Sequence, residues 1–260
     1  MIFQVLSELA QISGLTAFIS VVITTILSLI VLIKYIKTRQ FLIFNFFLCI
    51  VFTSSPWYSS GVGYFYWVLT GGAFLNYPVY VLVGMVGVPV AILAWLNVYT
   101  TTLKPDKKKL LLLIYGIFSI FFELYLFYFL IFAPGAPINS LLGVFPDPTN
   151  LMDMDYKGFV LIFLGVSILT ACVTGVHFAL NSMKKEEDIE IRWKGRFLFV
   201  AFLLFGVSAI FDAIIEMTPV LLLIIRILLV LANFFFYIGF ILPKWSKKLL
   251  SIKQEALRTH

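Results

Sequence analysis

The sequence predicts an all-α integral membrane protein, a seven-transmembrane helix bundle, and three observations carry that expectation. The 260-residue chain is 62% hydrophobic and only 12% charged, with a mean hydropathy of +1.04, too little polar surface to solvate a domain of this size in water. Its apolar residues gather into seven long stretches, roughly 13–36, 40–58, 77–103, 110–132, 158–182, 196–217 and 220–242. Of its 19 Lys and Arg, all but Lys157 and Arg226 fall in alternate connections between those stretches.

Each stretch is close to or above the ~20 apolar residues that carry a helix across hydrocarbon. Backbone polar groups in lipid must be satisfied inside the segment, so the alternative to helices is a closed barrel, whose spans alternate apolar and polar residues. These stretches do not alternate. Basic residues follow the first span (Lys34, Lys37, Arg39), the third (Lys104, Lys107, Lys108, Lys109), the fifth (Lys184, Lys185, Arg192, Lys194, Arg196) and the seventh (Lys244, Lys247, Lys248, Lys253, Arg258). The positive-inside rule then puts the amino terminus outside and the carboxyl terminus in the cytoplasm of a multi-pass cell-membrane protein. Met1–Gln11 lacks the basic start of a signal peptide, which makes the first span an uncleaved one.

The expected organisation is a bundle over 1–243 and a cytoplasmic tail over 244–260. In the tail Trp245, Leu249, Ile252 and Ala256 recur at helical spacing against Lys244, Lys247, Lys248 and Gln254, the pattern of an amphipathic helix lying on the inner leaflet. Residues 59–76, with Tyr64, Phe65, Tyr66 and Trp67 ahead of Gly71 and Gly72, suit the lipid interface as an aromatic anchor, a short surface helix or a re-entrant turn. The connection from Ala133 to Tyr156 carries Pro134, Pro137, Pro146 and Pro148 with Asp147, Asp153 and Asp155, and a loop of that length often forms a lid or binding loop. It lacks the ligand spacing of a calcium loop. The run Lys184–Arg196 alternates basic and acidic blocks, as a solvated, salt-bridged helix extension or a docking surface for a cytoplasmic partner would.

A net charge of +6 and a pI near 9.2 fit a lipid bilayer with anionic headgroups as partner and imply no nucleic-acid role. Cys49 and Cys172 both lie within spans, where free Cys packs as a small residue. No span holds a Lys away from its ends to carry retinal as a Schiff base. His177 and His260 are the two histidines, so there is no clustered ligand set for a catalytic metal. The reading is therefore no cofactor, no metal and no enzyme.

Charges inside spans cost several kcal/mol unless they are paired or face water. Asp212 and Glu216 are four apart, on one face of the sixth span. The short turn at Thr218 and Pro219 makes the seventh span its antiparallel neighbour, which brings Arg226 to the depth of Asp212. The expectation is an Asp212–Arg226 ion pair with Glu216 nearer the surface, acting as a structural bridge or as part of an anionic-ligand or proton-linked site. Glu123 stands alone in the fourth span, bonded locally or facing a central cavity. Asn45, Asn97, His177 and Asn233 lie in the inner halves of four spans, as interhelical glue or as a switch-like inner polar network.

Two internal similarities hint at a parallel repeat of three plus one plus three spans. Leu93, Ala94, Tyr99 and Pro105 match Leu231, Ala232, Tyr237 and Pro243 at a common offset, and Phe41, Leu42 and Phe46 match Phe197, Leu198 and Phe202. The third span, GMVGVPVAILAWLNVYTTTL, with Pro89, Trp95, Tyr99 and Thr100, resembles the corresponding helix in the seven-transmembrane sensor regions at the amino termini of microbial histidine kinases. That resemblance implies a heptahelical sensor with an outward-opening pocket, although here no output domain follows the bundle.

Together these features predict a receptor- or sensor-like protein with a small-ligand site framed by Glu123, Asp212, Glu216 and Arg226. Pro89 would kink the helix beside the pocket, and a separate cytoplasmic partner would receive the signal. The competing expectation is a small secondary transporter with a proton- or anion-linked site.

Overall fold

The computed structural model describes residues 6–72, 76–133, 136–145, 152–185, 188–215 and 218–250. Its helices are α1 (Glu8–Thr38), α2 (Phe41–Thr53), α3 (Ser55–Thr70), α4 (Tyr77–Met85), α5 (Gly87–Leu103), α6 (Lys108–Phe127), α7 (Ile138–Leu141), α8 (Gly158–Met183), α9 (Ile189–Ile214), α10 (Pro219–Ile241) and α11 (Lys244–Leu249). A two-residue antiparallel ladder joins β1 (Gly143–Val144) to β2 (Asp155–Tyr156). Six helical segments are long and apolar enough to cross a membrane, and the bent α2–α3 pair supplies a seventh if it forms one span. This is an all-α protein of multi-pass membrane type. Its outer surface is apolar too: Leu124, Phe132, Val173 and Val220 all point away from the bundle, as lipid-facing positions do.

The second span departs from expectation. The chain does not leave its helix near residue 58 for an interfacial stretch; α3 runs on to Thr70 and packs along the first half of α1. Pro56 has no N–H for the carbonyl four residues back, so the helix breaks at Ser54 and bends by 55°. The break is repaired locally. Tyr58 Oη donates to the Val51 carbonyl at 2.6 Å, and Ser54 Oγ donates to Thr24 Oγ1 at 3.4 Å. The aromatic stretch expected at the interface is thus part of a helix: Tyr64 packs against Gly14 of α1, whereas Phe65 and Tyr66 stay exposed on the outer surface, Phe65 stacking on Phe18 at 5.3 Å.

Close approach of α1 and α3 depends on Gly14, where an added Cβ would lie 2.6–2.9 Å from Cδ2, Cβ and Cγ of Tyr64. Because Tyr64 Cβ is tied to the backbone, the clash is not relieved by rotating a ring. Gly14→Ala should lower stability by about 1–3 kcal/mol, measured by SDS-titration unfolding in bicelles. Gly116→Ala, where the added carbon meets nothing within 4 Å, should not.

Pro89 acts in the same way in the third span, depriving the Met85 carbonyl of its donor, and the helix is interrupted at Val86 between α4 and α5. The fourth span is the outermost, joined mainly to α5, and its last turn widens into a π turn over Tyr128–Phe132. The remaining spans close a ring: α1 against α2 and α3, these against α4 and α5, then α8, α9 and α10, with α10 returning to α1. Gly175 of α8 seats the Phe202 ring of α9, a small-residue contact of the kind that holds membrane helices together.

Lysines from three of the basic clusters meet at one end of the ring. Lys34 Nζ donates to the Ile241 carbonyl at 3.4 Å and feels Lys194 and Lys247 nearby. The sixth span starts earlier than its apolar stretch, at Ile189, with Asp188 capping it through the Ile191 N–H at 3.1 Å. Glu190 does not bridge within its own run; it pairs with Lys247 of α11 at 2.5 Å. Glu186 and Glu187 lie outside the described residues, as do 251–260, so the expected tail helix is described only to Leu249 and its neighbour Leu250, with Trp245 and Leu249 exposed.

Candidate functional site

A cavity of about 710 Å³ opens inside the ring, from the 152–157 loop down to Phe46 and Phe240. That volume lies within the ~300–1,000 Å³ typical of small-ligand sites. The α2–α3 bend turns Trp57 and Ser60 inward, α4 supplies Tyr80, α5 supplies Trp95, α8 supplies Ser167, and α9 supplies Phe202 and Asp212.

The polar centre is built on Asp212. Its Oδ2 accepts from Trp57 Nε1 at 2.9 Å and from Arg226 Nη1 at 3.3 Å, and the guanidinium carbon lies 5.5 Å from the Trp57 ring centroid. The structure thus pairs Asp212 with Arg226 across α9 and α10. Their settings differ: Arg226 is 2% exposed and is not part of the cavity wall, whereas Asp212 lines it. Arg226 Nε has no hydrogen-bond partner among the described residues.

The loop before α8 closes over this centre. Its ladder is anchored by Tyr77 Oη donating to the Gly143 carbonyl at 2.5 Å and by Lys157 N–H donating to the Leu142 carbonyl at 2.9 Å. Tyr80 Oη donates to the Met152 carbonyl at 3.2 Å and accepts from Ser60 Oγ at 2.9 Å. These bonds set Asp153 against the cavity, facing Asp212 and Arg226. Burial first, and then the Asp212 charge, push its carboxyl up to about 6. Asp155 and Lys157 sit at the mouth, 4.0 Å apart and largely solvated, worth little as a bridge. Tyr156 Oη and Ser167 Oγ also belong to wall residues, and both lack a hydrogen-bond partner among the described residues. Ser167 is 6% exposed.

Of the four residues expected to frame the site, the structure brings Asp212 and Arg226 together. It leaves Glu123 off the cavity wall, on α6 next to Phe122, which stacks on Phe163 at 3.9 Å. Glu123 Oε2 is buried without a hydrogen bond among the described residues, and Glu216 lies outside the described residues. The inner polar residues hold separate partners. Asn45 bonds its own helix at Phe41, and Asn97 accepts from Thr101 at 3.4 Å. His177 Nδ1 meets Tyr99 Oη at 3.0 Å, and Asn233 donates to Thr24 Oγ1 at 3.0 Å from the cavity wall. Tyr99 and Trp95, four apart on α5, both reach α8, the latter through Thr174 at 2.7 Å.

Sequence reasoning missed Trp57, Tyr80, Ser167 and the inward turn of Asp153. One usable signal was the small polar run SSPWYSS inside an apolar helix, since Ser59 and Ser60 need partners there and find them on Tyr80. Cys49 and Cys172 are free thiols. Comparison of the chain with protein-family models, curated proteins and solved structures finds no match.

Proposed function

We propose that this is a heptahelical receptor- or sensor-like membrane protein whose small-ligand site opens outward and whose signal passes to a separate cytoplasmic partner. The observation that carries the reading is the ligand-sized cavity with Asp212 on its wall under the 152–157 loop. The loop end carries Asp153 and Asp155, whereas the opposite end gathers Lys34, Lys194 and Lys247; the positive-inside rule puts the latter in the cytoplasm and the cavity mouth outside. In this reading Arg226 holds α9 and α10 together in the resting state. Ligand contact with Asp212 would shift that pair, and α9 continues without interruption to Ile189 and the Glu190–Lys247 contact with α11. The resemblance of the third span to microbial sensor helices agrees with this arrangement.

A transporter is the second reading, favoured by the depth of the cavity and by the Phe46–Phe240 pair, 3.6 Å between centroids, that closes its floor. The outlying α6 has the place a linker between two three-span halves would take. The two readings separate in one set of measurements. Protein in nanodiscs is screened by thermal shift against small amines, acids and neutral metabolites, and each hit is then assayed for uptake into proteoliposomes. A receptor gives a shift that is reduced in Asp212→Asn and no uptake. Uptake that is lost in Asp212→Asn replaces the receptor with a transporter, and no hit of any class removes the ligand site.

A further inference from the structure

The cavity wall has a charge imbalance that identifies the chemistry of its occupant. Asp153, Asp155 and Asp212 line it with Lys157 as the counter-charge on the wall. Lys157 sits at the mouth beside Asp155, and Arg226 is committed to Asp212 behind the wall. Inside the mouth, among the described residues, two carboxylates therefore share one guanidinium, and the guanidinium is out of a ligand's reach. An anion entering here would meet carboxylate oxygens first, in a setting where low dielectric strengthens the repulsion.

Below the carboxylates the wall turns aromatic. Trp95 packs against Phe202 at 4.8 Å and Phe240 at 6.2 Å, and Phe236 meets Phe202 edge-on at 4.7 Å. Ring faces accept both apolar bodies and cations. Ser167 Oγ, deeply buried on the same wall and without a partner among the described residues, supplies an unused hydroxyl where a ligand could satisfy it. A cavity with surplus carboxylate near its mouth, an aromatic floor and an orphaned hydroxyl fits one class of molecule.

We infer that the site takes an organic cation, an ammonium head placed between Asp153 and Asp212 with an apolar body on the Trp95–Phe202–Phe240 floor. This inference rests on the cavity being a ligand site, as proposed above, and adds the charge and shape of what fills it. Arg226 then positions Asp212 and repels a misplaced cation from below, leaving the head at the level of the loop.

The test uses three molecules of one body and different charge: phenethylamine, 2-phenylethanol and 3-phenylpropionate, titrated into the full chain in neutral-lipid nanodiscs at pH 7.5. The readouts are thermal shift and tryptophan fluorescence, which Trp57 and Trp95 report from the wall. Phenethylamine is expected to bind at least tenfold more tightly than the other two, and Asp153→Asn to erase most of that preference. Asp153 is in the loop and outside the Asp212–Arg226 pair, so the variant keeps the bundle, and a single cooperative melt at or above the wild-type midpoint verifies it. Equal binding of the alcohol, or tighter binding of the carboxylate, overturns the cation assignment while leaving a ligand site in place. Preference for the amine that survives Asp153→Asn also overturns it. Silence from all three overturns it as well, and the broader screen then decides separately whether the cavity binds anything.

Discussion

Asp212→Leu is expected to cost about 3–5 kcal/mol of stability, the usual penalty for stranding one partner of a buried ion pair. Arg226 is 2% exposed on α10 and bonds Asp212 Oδ2 at 3.3 Å. Once the carboxylate is gone, the guanidinium keeps its charge, because it cannot shed a proton at any accessible pH. Arg226→Leu should cost less, since a stranded carboxyl can take up a proton and become neutral. The double variant Asp212→Leu/Arg226→Leu should recover most of the loss, because two apolar side chains owe no desolvation. SDS-titration unfolding of all three in bicelles gives the ranking. A single-variant loss below about 1 kcal/mol would mean that water reaches the pair and that the α9–α10 contact does not depend on it.

Asp153→Asn is expected to stabilise the ligand-free protein at neutral pH and to leave it unchanged in acid. The Asp153 carboxyl is pushed from its ordinary 3.8 up to about 6, by burial first and then by Asp212, with Asp155 adding to the rise and Arg226 opposing it. Tyr80 and Tyr156 also face it, and Lys157 stands at the mouth of the same wall. Between about pH 4 and pH 6 the folded state holds this proton more tightly than the unfolded state, so stability falls as pH rises through that window. Above it the full penalty applies, at most about 3 kcal/mol. Asn carries no such proton. The wild-type and variant melting curves should therefore coincide near pH 4 and separate above pH 6, with the variant the more stable. Parallel curves across the range would show that Asp153 is free in solvent. A carboxylate kept at this cost in a cavity wall is one that a bound cation would relieve.

The contrast between Asp212 and Glu123 shows what a one-dimensional reading can reach. Asp212 and Arg226 could be paired from sequence because the turn at Thr218–Pro219 is too short for α9 and α10 to be anything but antiparallel neighbours, which matches residues at equal distance from the turn. Glu123 has no such neighbour constraint. Its depth was legible, but the face it presents depends on where α6 docks, and α6 docks at the edge of the ring. Asp153 fell in a connection expected to form a lid or binding loop, but which of its acidic residues faces inward depends on the β1–β2 ladder and on Tyr80.

The sequence by itself determined that this chain is helical and apolar enough for a multi-pass membrane protein, roughly where most of its long helices run, and that Asp212 lies level with Arg226. These follow from local rules, because backbone satisfaction in lipid, hydropathy and helix rise act within a segment or across one short turn. Tertiary structure alone decided the burial of Trp57 and Tyr80, the turning-in of Asp153 and the cavity they enclose. Those depend on which faces meet across helices distant in sequence. In a chain this uniformly apolar, the hydrophobic pattern marks no inward face, so the small and polar residues that choose it act only once the partners are in place.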